Sequence, residues 1–206
     1  EKIIVESSNI GTAQIASKIG KKNQMSFFNK IGFDDRLKIE NKETAFPLGN
    51  KNNWGKIETA TIGFGHGFSV TPLHLVKAYA TLANNGYEVV PTLQLKQNLK
   101  SKNILQNEHS SKFFLNLLHS VVLKTEYTGP RVKVEGYEIG GKTGTAELLN
   151  PNGGYYKDDR NLTSFIGVFP IKKPKFVIYT AIEYPKKEIG SKQKMTGARV
   201  NAPLVK

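Results

Sequence analysis

Apolar positions in the first half of the chain recur at helical spacing. Over residues 8–19, Ile10, Ala13, Ile15 or Ala16, and Ile19 fall on one face, with Ser and Asn at the start and Gly20 as the stop. That pattern predicts a helix. Residues 24–31 repeat it as a short helix ended by Gly32. From residue 33 to 56 the periodicity is lost, with Pro47-Leu48-Gly49 and then Asn50-Lys51-Asn52-Asn53. This reads as a long irregular segment, of a length uncommon without a role. Gly63-Phe64-Gly65-His66-Gly67 is a glycine-rich turn. Thr71 and Pro72 then open a helix in the favoured order, cap residue first and Pro at the first helical position. It runs through Leu73, Val76, Ala80 and Leu82 and is ended by Asn84-Asn85-Gly86. Loose alternation over 87–95 predicts a strand, and 110–124 an amphipathic helix.

After Tyr127 the period changes. Residues 142–148, 163–169 and 175–184 read as strands, the last rich in β-branched and aromatic residues. Short polar connections, such as 150–154 and 171–174, favour antiparallel hairpins over crossovers through helices. The expectation is an α+β arrangement, a mainly helical part over 1–125 followed by a sheet part over 126–206.

Composition narrows the possibilities. Hydrophobic content of 38% over 206 residues allows a packed core, and no apolar run approaches the length of a membrane-spanning helix. The start, Glu1-Lys2-Ile3-Ile4-Val5, has no signal-peptide layout and resembles the middle of a strand or helix, so a fragment or processed product is expected. With no Cys there are no disulfides or thiolate zinc sites, and the four histidines are not arranged for a metal. The net charge of +13 invites a nucleic-acid reading, but only four residues are Arg and the lysines are spread without aromatic interleaving. No nucleic-acid partner, metal or cofactor is expected.

One string carries two incompatible chemistries. Gly136 to Thr143 matches the phosphate-cradling pattern G-x-x-x-x-G-K-[ST], while Lys142-Thr143-Gly144 is the Lys-Thr-Gly triplet of penicillin-recognising serine acyltransferases. The phosphate reading needs a helix starting at Lys142, yet Gly144 and Asn150-Pro151 leave room for hardly two turns, and the following strands look antiparallel. The acyl-transfer reading needs a strand edge with a cation, carboxylate-anchoring hydroxyls and a bare Gly surface, together with an upstream Ser-x-Asn. Ser7-Ser8-Asn9 supplies that triplet, which by itself reads as a helix cap.

Taken in order, these motifs resemble the transpeptidase domain of class B penicillin-binding proteins. The resemblance runs through Ser7-Ser8-Asn9-Ile10-Gly11, residues 60–67 with Val70-Thr71-Pro72-Leu73, Ala78-Tyr79-Ala80, Ala83-Asn84-Asn85-Gly86, Gly136-Tyr137, the Lys142 motif and Phe165 to Pro170 with Pro174. It covers essentially all of 1–206 and looks more like the septal, cell-division branch than the elongation branch. It implies the β-lactamase-like α+β fold of penicillin-recognising serine transpeptidases, in incomplete form, as a partial transpeptidase domain. It implies acyl transfer from a D-Ala-D-Ala stem peptide, with β-lactams as further ligands and other division proteins as partners. By resemblance, Ser7 relays a proton toward the leaving amine, Asn9 holds the substrate amide, and Lys142 keeps the local potential positive. Thr143 and Thr145 take the terminal carboxylate, Gly144 keeps the strand bare, and the Thr145 backbone N–H gives half of the oxyanion hole. The implied location is the periplasmic face of the bacterial inner membrane, with the anchor helix outside this chain.

Two departures from the family pattern stand out. Its Ser-x-x-Lys nucleophile has no counterpart before Ser7, and the sole match, Ser191-Lys192-Gln193-Lys194, is read as accidental. The family's last helix should begin where residues 201–206 end the chain. The expectation is a catalytically incomplete chain whose uncovered sheet face promotes self-association. Phe64 and His66 are read as shaping the cleft, and His74 and His119 as packing or surface residues. The competing reading is a non-catalytic module that binds cell-wall or partner surfaces through its lysines, with a P-loop nucleotide-binding protein as the third.

Overall fold

A computed structural model describes residues 1–40, 44–49, 54–95, 101–105, 107–126, 128–156, 160–187 and 193–206. The chain divides into two units, Glu1–Phe114 and Leu115–Lys206, with the division falling inside a helix.

The first unit opens with a single helical turn, α1 (Lys2–Val5), and a long helix, α2 (Asn9–Ile31). Ser8 caps α2, its hydroxyl accepting the Gly11 N–H at 3.1 Å. The two helices predicted over 8–19 and 24–31 form one element with a kink. Gly20, at φ 76° and ψ 158°, leaves the helical conformation, so the first helical run stops there as the sequence predicts and the second continues from the kink. Gly32 closes it in the left-handed conformation, at φ 79°. A two-residue ladder follows, β1 (Leu48–Gly49), whose antiparallel partner lies beyond α3 (Lys56–Ile62) at β2 (Phe68–Ser69). Close packing of α3 on α2 needs Gly63, where a Cβ would lie 2.3 Å from that of Ala16. Gln24 ties the pair together, its Nε2 donating to Ala16 O at 2.9 Å and Thr59 O at 3.0 Å. Phe28, Phe33, Trp54 and Phe68 form an aromatic cluster, with Phe28 ring centroids 5.0 to 5.7 Å from the other three. The helix α4 (Pro72–Ala83) starts as its cap-and-Pro signal predicts, and Thr71 Oγ1 accepts the His74 N–H.

Residues 87–95 correct one expectation, because they form no strand. Among the described residues, only an isolated bridge pairs Tyr87 with Asn103. Side chains take the donors a ladder would need: Val89 N donates to Thr81 Oγ1 at 3.1 Å and Leu93 N to a Glu40 carboxylate oxygen at 2.9 Å. Pro91 has no N–H to give. The Thr92 hydroxyl also donates to Glu40, and these bonds hold its carboxyl below the usual range.

A helix, α5 (Glu108–Lys124), crosses from the first unit into the second. The second unit continues with a turn of helix, α6 (Gly129–Val132), and three strands, β3 (Gly140–Glu147), β4 (Asn161–Phe169) and β5 (Phe176–Glu183). They form one antiparallel sheet in the order β3-β4-β5, as the short polar connections predict. The register pairs Thr143 with Phe165 and Phe165 with Thr180. The chain then makes α7 (Gly197–Val200) and a 3₁₀ turn over Ala202–Val205. Phe165, fully buried, packs with Val122, Val132, Ala202 and Val205, and Ile178 borders this cluster. The 3₁₀ turn therefore covers part of the sheet face expected to be bare.

Candidate active site

The site residues read from the sequence fall in both units. Ser7 and Asn9 belong to the first. Ser7 sits between α1 and α2 at φ 52°, a conformation uncommon for a residue with a side chain, and its N–H donates to Ile4 O at 3.3 Å. Asn9 is the first residue of α2, and both it and Ser7 are exposed. The Ser8 cap places one on each side of the helix start.

Lys142, Thr143, Gly144 and Thr145 lie together on β3 in the second unit, at one side of the described sheet. This is the strand read from the sequence over 142–148 and is incompatible with the phosphate-loop alternative: Lys142 is in mid-strand and no helix begins there, so the fan of free N–H groups that a phosphate needs is missing. Gly140 and Gly141 serve packing. A Cβ at Gly140 would approach Ile171 to 2.5 Å, and one at Gly141 would approach the Phe165 ring to 2.3 Å.

Strand alternation puts Thr143 and Thr145 on one face and Lys142 and Gly144 on the other. Burial pushes the Lys142 ammonium below the usual lysine range, and its Nζ donates to Thr143 O at 3.1 Å. Thr145 is exposed and borders a cavity of about 760 Å³. Glu147, Tyr156, Tyr184, Lys186 and Lys194 also line that cavity. The Arg160 guanidinium sits 3.9 Å from the Tyr156 ring centroid and 5.6 Å from that of Tyr184. Two hydroxyls on one strand face, beside a cavity lined by Lys186, Lys187 and Lys194 against the one carboxylate of Glu147, suit an anionic ligand.

The model of the penicillin-binding protein transpeptidase domain matches residues 1–206. The chain belongs to the penicillin-binding protein transpeptidase family. The chain is 32% identical over 219 residues to stage V sporulation protein D of Bacillus subtilis, covering 98% of the chain and 32% of that protein. It is 31% identical over 210 residues to the probable peptidoglycan D,D-transpeptidase FtsI of Caulobacter vibrioides, covering 98% and 35%. The chain thus spans about a third of the length of these relatives. Among solved structures it resembles the apo TP domain of penicillin-binding protein 3 from Burkholderia pseudomallei, with a TM-score of 0.83, 26% identity, and 98% and 60% coverage. Penicillin-binding protein 3 of Mycobacterium tuberculosis in complex with aztreonam shares the fold, with a TM-score of 0.85 at 24% identity and coverage of 98% and 48%. The transpeptidase fold expected from the sequence, helices followed by an antiparallel sheet, is therefore the one observed.

The remaining sequence expectations meet mixed outcomes. His74 is a packing residue: it is 1% exposed, with Nδ1 2.7 Å from Thr71 Oγ1 and Nε2 3.0 Å from Asp35 O. The rings of Phe64 and His66 lie 6.4 Å apart in the glycine-rich turn. Ser191 and Lys192, half of the stray Ser-x-x-Lys match, lie outside the described residues. Gly197 was missed altogether. Its N–H donates to Thr145 Oγ1 at 3.5 Å, a contact between positions 52 residues apart with no local signal in either stretch.

Proposed function

We propose that this chain is the Ser-x-Asn and Lys-Thr-Gly part of a D,D-transpeptidase domain that cross-links peptidoglycan stem peptides during septal wall synthesis. The observation that carries the reading is Lys142-Thr143-Gly144-Thr145 on an outer strand, in a chain matched end to end by the family model. In this reading Ser7 passes a proton toward the leaving amine and Asn9 holds the substrate amide. Lys142 stabilises developing negative charge, and its depressed proton affinity suits a group that hands a proton on. Thr143 and Thr145 anchor the terminal carboxylate of a D-Ala-D-Ala stem or a β-lactam, and Gly144 leaves the strand open to the substrate backbone. The domain would work at the periplasmic face of the inner membrane with other division proteins, and the isolated 206-residue chain would self-associate.

The test is covalent uptake of fluorescent penicillin. The full-length protein is expected to label, and the 206-residue chain alone is not, because its Ser-x-x-Lys match at 191–194 is not the nucleophile. Lys142→Ala in the full-length protein should lower the acylation rate by about 10²-fold, the scale of losing one preorganised electrostatic group. Stable labelling of the isolated chain at Ser191 would sink this assignment.

A further inference from the structure

We propose that Gly197 is the positioning residue for Thr145: its backbone N–H fixes the hydroxyl so that the hydroxyl proton is aimed at an anionic substrate group. The inference rests on the reading of Thr145 as a carboxylate anchor.

A threonine hydroxyl has one proton to donate and two lone pairs that accept. A carboxylate only accepts, so a hydroxyl that binds it must donate. Unrestrained, that proton can turn to the backbone carbonyls nearby. Gly197 N donates to Thr145 Oγ1 at 3.5 Å and so engages one lone pair. The oxygen is thereby committed as acceptor toward α7, and its own proton is left for a group on the open side. That side is the cavity lined by Lys186, Lys187 and Lys194 and by one carboxylate, Glu147, a net positive lining that favours an anion. Gly197 has a reason of its own to donate there. It is the first residue of α7, and Thr196 at the cap makes no side-chain bond to the helix start. Its N–H is one of the donors a helix leaves unmet, and Thr145 meets it.

The residue type follows from the same geometry. A Cβ at position 197 would lie 2.2 Å from Ser164 O and 2.8 Å from Gly144 O. Both atoms are backbone of the β3-β4 ladder, where Gly144 pairs with Ser164, so neither can move aside like a side-chain tip. Any side chain would push α7 off the sheet. The N–H contact is already near its outer limit and would be lost.

The experiment uses the full-length protein and two forms of one fluorescent penicillin, the free acid and its methyl ester. Gly197→Ala is expected to lower acylation by the free acid about tenfold, the worth of one charge-assisted hydrogen bond, and to leave the ester within about twofold. Thr145→Val should give the same selective loss, and the double variant should lose nothing further. Equal losses on acid and ester, or additive losses in the double variant, overturn the proposal. If Gly197→Ala does not fold, amide exchange decides. The Gly197 N–H should exchange about fivefold faster in Thr145→Val than in the unaltered protein, and an unchanged rate overturns the inference. Failure of the unaltered protein to take up either compound would sink the acyl-transfer reading and this inference with it, whereas a loss shared by acid and ester sinks the inference alone.

Discussion

Asn201 is fully buried, and among the described residues neither its side-chain oxygen nor its nitrogen has a hydrogen-bond partner. Its backbone is engaged: the N–H donates to Gly197 O at 3.0 Å, and the carbonyl accepts from Leu204 N at 3.1 Å and Thr180 Oγ1 at 3.4 Å. Each buried polar group left unmet costs roughly 1–3 kcal/mol, more than the small cavity that alanine would leave. Asn201→Ala should therefore stabilise the second unit by about 1 kcal/mol, seen as a higher urea midpoint. Lys142 also carries a burial cost, and that cost depends on pH. Its folded pKa lies below 10.5 because burial penalises the ammonium form. Between that lowered value and 10.5 the unfolded chain binds more protons, so stability rises with pH through this alkaline window and is reduced below it. Replacing it by Met, which has no charge to bury, should flatten that rise in urea melts taken at successive pH values.

The kink in α2 falls at Gly20, where the sequence reading places a helix stop. Gly20 adopts φ 76° and ψ 158°, a region open essentially to glycine alone, although a Cβ there would meet nothing within 4 Å. The constraint is thus on the backbone and not on space. Gly20→Ala should cost about 1–3 kcal/mol despite the better helix propensity of alanine. Trp54, the sole tryptophan, packs in the aromatic cluster of the same unit and reports the change by fluorescence in a urea titration. Other elements were legible because their signals are local. Thr71-Pro72 starts α4, Ser8 caps α2, and the hairpin-length connections give an antiparallel sheet. Residues 87–95 misled because their donors are taken by Thr81 and Glu40, partners that alternation along the strand does not reveal.

For the whole molecule, the net charge of +13 separates two kinds of binding. Attraction to anionic wall polymers through scattered lysines is screened by salt, whereas a covalent acyl bond is not. Retention of the chain on purified peptidoglycan should fall steeply between low and high salt, while penicillin labelling of the full-length protein stays nearly level. Retention that survives both high salt and Lys142→Ala would favour the non-catalytic binding module. By itself the sequence determined that helices precede an antiparallel sheet, the caps that begin α2 and α4 and the family to which Lys142-Thr143-Gly144 points. Those properties reside in periodicity and in residues a few positions apart. Only the tertiary structure decided that the Lys142 ammonium is desolvated and that Gly197 meets Thr145 across 52 positions. Each of these depends on which surfaces pack together: desolvation and close backbone approach arise from atoms distant in sequence, and no short window of residues contains both partners.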